Sequence, residues 1–249
     1  MLLHMVYDCI SILTTDSALH QWMMQFVVHH HKPAMKKNNF REMADRAIVE
    51  SLRVIESKDW KIEMKGENGV VYSKNLPNIG KVFKYEGIVE IPAEKLNNKL
   101  FYNVEKCHEW NNSIEKANVI ESIDKNTNVV HFISRNRFFV SSRDFVHLRV
   151  WKKKADAFVH SSFSISHPRV PPANYIRAEH RFCTYVMRPI RGEPTKTHLT
   201  WLMQVSLKVS FTINQNSLFW DGVPQNITDH AVTYGMIEHL LDIKSSPID

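Results

Sequence analysis

Apolar residues along the chain fall first into a helical period and then into a long series of alternations. Phe40, Met43, Ala44, Ala47, Ile48, Leu52 and Ile55 recur at helical spacing and form one stripe. Asn39, with Glu42 three residues later, is placed to cap that helix, and Lys58-Asp59-Trp60 closes it. Strand signals follow, briefly at 70–73 and then over 82–91. In the second of these Phe83, Tyr85, Val89 and Ile91 share a face opposite Lys84, Glu86 and Glu90, which predicts a half-buried strand. Pro92 suits the first turn of a second helix, striped by Leu96, Leu100 and Val104. Further strands are predicted at 116–123, 128–135, 143–152, 157–165, 174–189 and 197–208, separated by polar turns such as 124–127 and 192–195. Short turns between consecutive strands predict an antiparallel sheet. The last element, 225–243, is helical. Ile227, Ala231, Tyr234, Ile237 and Leu241 follow helical spacing, and Val232, Met236 and Leu240 broaden the stripe. Helix, strands, helix, meander, helix is an α+β order.

One strand carries more than packing. In 143–152, Phe145, His147, Arg149 and Trp151 share a face, with Val146, Leu148 and Val150 on the other. An arginine flanked by aromatics, on a strand whose other face is aliphatic, points to a cation in an enclosed apolar place. An edge strand with a solvated arginine fits the same alternation. Arg143-Asp144 and Arg177-Glu179 read as structural ion pairs between strands.

Composition narrows the function classes. With 249 residues, 43% of them apolar, the chain can bury a substantial core. The net charge of +6 is dispersed, with Lys36-Lys37 and Lys152-Lys153-Lys154 its notable runs. No concentrated basic stripe supports nucleic-acid binding, and weak attraction to anionic membrane surfaces is the better use of the charge. Cys9, Cys107 and Cys183 are far apart and odd in number, which fits a reducing, intracellular compartment and indicates neither a zinc site nor a disulfide framework. His29-His30-His31 are adjacent and cannot easily converge on one metal ion. No apolar run reaches the roughly 18 residues of a membrane span, and the apolar start, 1–13, lacks the basic leading region of a signal peptide. The sequence contains no His-Glu-x-x-His, Gly-x-Ser-x-Gly or phosphate-cradling glycine loop. The expectation is therefore a protein without catalysis, metal or cofactor.

The run Ser142-Arg143-Asp144-Phe145-Val146, with Arg149 three residues on, resembles the START (StAR-related lipid transfer) domains, most closely the steroidogenic acute regulatory subfamily. Three more segments match in family order: 74–83, Glu109-Trp110-Asn111, and Ile176-Arg177-Ala178-Glu179-His180 followed by 197–202. The resemblance implies a helix-grip fold, in which a curved antiparallel sheet is gripped by a C-terminal amphipathic helix to enclose a hydrophobic tunnel. It places the domain at 38–245, with 1–37 an unassigned extension. Residues 209–222 are an atypical insertion, either a long loop near the lid or translated intron.

The resemblance also implies ligand-contacting residues: Arg149, Asn111, Cys107 and His147, together with Val232, Met236 and Leu240 of the final helix. Ser166, His167, Pro168, Pro171 and Pro172 fall in a loop at one side of the tunnel mouth, where the prolines would let it gate as a unit. In cholesterol-binding members the tunnel arginine pairs with an acid on the neighbouring strand. Here that strand, 129–136, has no carboxylate. Three solutions remain open: another acid; His131, Ser134 or Asn136 acting through water; or a wetter tunnel with a more anionic ligand. The implied function is non-enzymatic carriage of a sterol such as cholesterol between membranes by a monomer peripheral to organelle membranes, mitochondrial or endosomal. The alternative is a phospholipid or other lipid carrier, or a lipid-sensing regulatory or enzymatic protein using the same cavity.

Overall fold

The structure, a computed structural model, describes residues 37–67, 69–136, 140–171, 174–207 and 225–246, with side chains of the last helix from Asp229. The extension, including His29-His30-His31, the 209–222 insertion and Pro172 lie outside the described residues. Helix α1 (Lys37–Glu56) buries Phe40, Ala44 and Ile48, one residue per turn. It begins at Lys37, so Asn39 sits inside the first turn and does not cap it.

Ten strands follow: β1 (Lys61–Gly66), β2 (Gly69–Leu76), β3 (Gly80–Val89), β4 (Ile114–Asp124), β5 (Thr127–Ser134), β6 (Arg143–Lys154), β7 (Ala157–Ser164), β8 (Ile176–Arg177), β9 (Glu179–Ile190) and β10 (Glu193–Ser206). They form one curved sheet in the order β1-β2-β3-β10-β9-β7-β6-β5-β4, antiparallel throughout that path. Short β8 is the exception, pairing in parallel with β6. It divides the single strand expected over 174–189. The cause is Asp144, which accepts from Arg177 Nε at 2.8 Å and Nη2 at 2.7 Å while its carbonyl accepts from the Ala178 amide at 3.0 Å. Asp144 thus pairs with Arg177 of β8, which ties that strand to β6.

The two faces of the sheet bury different clusters. Val146, Leu148, Val150 and Val159 pack with Phe40, Ala44 and Ile48 of α1. Tyr85, Met187, Leu199 and Trp201 face the other way. At about 1.5–3 kcal/mol per fully buried large side chain, each cluster contributes strongly to the fold. The second face carries two helices, α2 (Ala93–Phe101) and α3 (Gln225–Ser245). The stripe predicted through Leu96 and Leu100 does not continue as α-helix to Val104. α2 ends at Phe101, and a 3-10 helix (Val104–Glu109) takes over.

α3 places Val232, Met236, Leu240 and Ile243 in the core, whereas Tyr234 and Leu241 are more than half exposed. The buried stripe is therefore rotated from the one centred on those two residues. α3 is apolar on more than one side, and periodicity alone cannot choose between two stripes. Among the described residues no helix is long and apolar enough to cross a membrane.

Candidate functional site

Between α3 and the sheet lies a cavity of about 330 Å³. Its walls come from α2 and the 3-10 helix (Leu100, Val104, Cys107), the sheet (Phe132, Phe145, Tyr185, Trp201) and α3 (Ala231, Val232, Gly235). Strand alternation delivers the sheet residues: Phe145, His147 and Arg149 point in from β6, and His160 and Ser162 from β7.

Arg149 is 1% exposed and borders this cavity. Its partner is not an acid. Nη2 donates to the carbonyls of Leu100 at 3.1 Å and Phe101 at 2.8 Å, the last turn of α2, and the guanidinium carbon lies 4.7 Å over the Phe101 ring. A helix C-terminus carries partial negative charge and unpaired carbonyls, so it serves a cation as a diffuse counter-charge. Burial draws the guanidinium down to about 10, which leaves it charged at neutral pH. Nε and Nη1 have no hydrogen-bond partner among the described residues. Of the residues sequence offered as water-mediated partners, His131 is turned to the other face, bonded to Asp144 at 2.9 Å. Ser134 borders the cavity.

A second polar chain crosses from the sheet to α3. The Ser113 amide donates to Asn111 Oδ1 at 2.9 Å, which turns Asn111 Nδ2 toward His239 Nδ1 at 3.1 Å. His239 must then accept at Nδ1 and carry its proton on Nε2, where it donates to the Tyr185 hydroxyl at 3.0 Å. Burial pulls His239 down to about 4, so it is neutral.

His147 and His160, both buried, are likewise pushed well below the usual imidazole range by burial. His147 Nδ1 shares a bond with Ser162 Oγ at 3.0 Å, and its Nε2 and both ring nitrogens of His160 are unpartnered. Burial also pushes the Cys107 thiol up to about 12, which leaves it an apolar wall group with no thiolate character.

Of the expected ligand contacts, Arg149, Asn111, Cys107, His147 and Val232 border the cavity. Met236 and Leu240 do not; they are packed into the core beneath α3. The proline loop is not at the cavity either. His167 donates to Glu121 Oε2 at 3.1 Å and stacks on Phe40 of α1, and Val170 joins the α1 cluster. His167 and Val170 thus lie on the face of the sheet where α1 packs, and Ser166, Pro168 and Pro171 do not border the cavity.

Sequence reasoning missed His160, His180, Cys183, Tyr185 and His239. His160 and His239 had a signal, strand alternation from Phe158 and heptad spacing from Val232. His180 had none. A bulge between the Gln204–Phe182 and Val205–His180 pairs inserts Arg181, and the inserted residue turns His180 onto the same face as Cys183.

Known proteins are similar to this chain in sequence and in fold. Residues 42–215 match the START domain family. The steroidogenic acute regulatory protein, mitochondrial, of Gallus gallus is 31% identical over 175 residues, 68% of this chain and 62% of that protein. Its Danio rerio counterpart is 34% identical over 172 residues, 67% of this chain and 60% of that protein. The match therefore spans about six tenths of these relatives' length. The solved structure of human StAR-related lipid transfer protein 5 superposes with a TM-score of 0.72 at 21% identity, covering 84% of this chain and 96% of that one. The family match covers well over half of the chain, on the same fold, and the chain belongs to the START domain family.

Proposed function

We propose that this chain binds one sterol-sized apolar ligand in the cavity and carries it between membranes without chemical change. The observation that carries the reading is the cavity itself: about 330 Å³, walled by apolar side chains, with Arg149 and neutral imidazoles gathered on one side. Such a site holds a rigid apolar body and orients it through a few polar atoms. A two-chain phospholipid would overfill it. Affinity would come from burying the ligand's rings, at roughly 25 cal/mol per Å² before the costs of association. The relatives' names include a lipid transfer protein and mitochondrial proteins, which supports exchange at an organelle membrane such as the mitochondrial surface.

Release requires an element that can open, and α3 supports that role. It covers the cavity, and lifting it would bare an apolar stripe suited to a membrane interface. The test is a lipid extract of the purified protein, after incubation with mixed vesicles of sterol and phosphatidylcholine, analysed by mass spectrometry. Near-stoichiometric sterol is expected. Phospholipid in its place, or an empty protein, would overturn the reading.

A further inference from the structure

Arg149 is a buried cation whose charge no described side chain neutralises. It has five N–H donors, and the two on Nη2 are spent on the Leu100 and Phe101 carbonyls. The three on Nε and Nη1 have no partner among the described residues. The acidic groups near enough to act on its charge are the thiols of Cys107 and Cys183 and the Tyr185 phenol, with no carboxylate among them, and burial keeps all three protonated. Directly across β5 the paired residue is Asn128, whose Oδ1 is also unpartnered; across β7 it is Ser162. Both are neutral. His147 and His160 lie close enough for the guanidinium charge to reach them, and their unpartnered nitrogens border the same space.

Among the described residues that border the cavity, Arg135, Arg143 and Arg149 are cations and Glu238, on α3, is the one carboxylate.

An isolated buried charge is costly, and natural sites offset it with a counter-ion and hydrogen bonds. A sterol hydroxyl offers one oxygen and no charge, so it leaves most of the guanidinium unsatisfied. An oxyanion offers several acceptor oxygens and the missing charge in one group, and charge-assisted bonds are roughly twice as strong as neutral ones.

We propose that the ligand for which this cavity is built carries an oxyanion head group on an apolar ring body, docked on Arg149 with His147 and His160 beside it. The inference rests on the sterol-binding reading above and narrows it to the anionic members of that ligand class. The charge is supplied by the ligand because the neighbouring strand does not supply it.

A matched pair of probes tests this. Cholesterol and cholesteryl sulfate share one ring body and differ in the head group. Each competes with fluorescent dehydroergosterol for the full-length protein. The sulfate is expected to displace the probe at least tenfold more tightly. Asn128→Asp, nearly isosteric, would place a carboxylate directly across from Arg149. It should cut that preference at least fivefold while the protein still binds dehydroergosterol. Equal or weaker competition by the sulfate in the wild type would overturn the inference and leave sterol binding intact. So would a sulfate preference that survives both Asn128→Asp and Arg149→Gln. No binding of dehydroergosterol or of either competitor would sink the sterol reading and this inference together.

Discussion

Arg149 shows how one residue can be legible in part. The alternation Phe145, His147, Arg149 against Val146, Leu148, Val150 announces an enclosed cation, and the structure buries it to 1% exposure. Its partner was hidden because it is the backbone. The Leu100 and Phe101 carbonyls are available only because α2 ends there, and no residue type marks that fact. A charge held this way is kept for binding and adds little to stability. Replacing a buried ion by an apolar group of similar volume is often neutral or stabilising. Arg149→Met should therefore keep its Tm within about 4 °C of wild type, since about 1 kcal/mol shifts a domain of this size by roughly 2–4 °C. Its affinity for the ligand should fall at least tenfold. A Tm lowered by more than 10 °C, read by circular dichroism, would make Arg149 a structural residue. His180 marks the opposite limit: the Arg181 bulge reverses the alternation, and a bulge has no reliable signature in one strand read alone.

At the scale of elements, the described ties that hold α3 can each be loosened by one substitution. Lys81 pairs with Asp229 at 2.9 Å near one end. Near the other, Asp242 accepts from the Asn112 amide at 3.0 Å and from its Nδ2 at 2.8 Å, and Lys99 bonds Ser246. The Asn111–His239–Tyr185 chain fastens the middle. None of these ties was legible, because each joins segments more than a hundred residues apart or depends on a ring tautomer. What was legible was the helix and its apolar character; which stripe faces inward was not, and Tyr234 and Leu241 proved to be outside. Two substitutions should move ligand exchange in opposite directions. Asp242→Ala leaves the Asn112 donors without their acceptor, at a cost of about 1–3 kcal/mol, and should speed release of bound dehydroergosterol several-fold. A methyl at Gly235 meets nothing within 4 Å, so Gly235→Ala should stiffen α3 by up to about 1 kcal/mol and slow release. Stopped-flow fluorescence against acceptor vesicles reads both. Unchanged rates in both variants would place the gate in another element.

Across the whole molecule the cavity collects imidazoles that the fold keeps neutral, and this makes stability depend on pH in a definite direction. His147, His160 and His239 are buried, and His180 is half-buried at the cavity edge. Burial lowers the folded value of each, to about 4 for His180 and His239, from the usual 6.5. An unfolded chain binds a proton at each of them near pH 6.5, whereas the folded chain takes one up at His180 and His239 only near pH 4, and at His147 and His160 only well below 6.5. The unfolded state thus takes up more protons in that window, so stability falls as pH falls from 6.5 to 4 and is unaffected above about 7.5. For His239 alone the loss by pH 4 is on the order of 3 kcal/mol. Its protonation would also set a donor at Nδ1 against the Asn111 Nδ2 donor and break the tie to α3. Asp124, Asp144 and Glu63 act in the same direction, since hydrogen bonds and neighbouring cations hold their carboxyls below the usual 3.8 or 4.5, but their share is lost only as pH approaches those values. The steep region should therefore begin near pH 6.5, set by histidine, and not near 4.5. Thermal melts in steps from pH 8 to pH 4 should give a Tm flat to about pH 7 and then falling continuously. His180→Phe keeps a ring stacked on Phe145, 4.8 Å away in the wild type, and removes one titrating group, so its slope between pH 6 and 4.5 should be shallower. A Tm that stays level down to pH 4.5 would show that these imidazoles reach solvent in the folded protein.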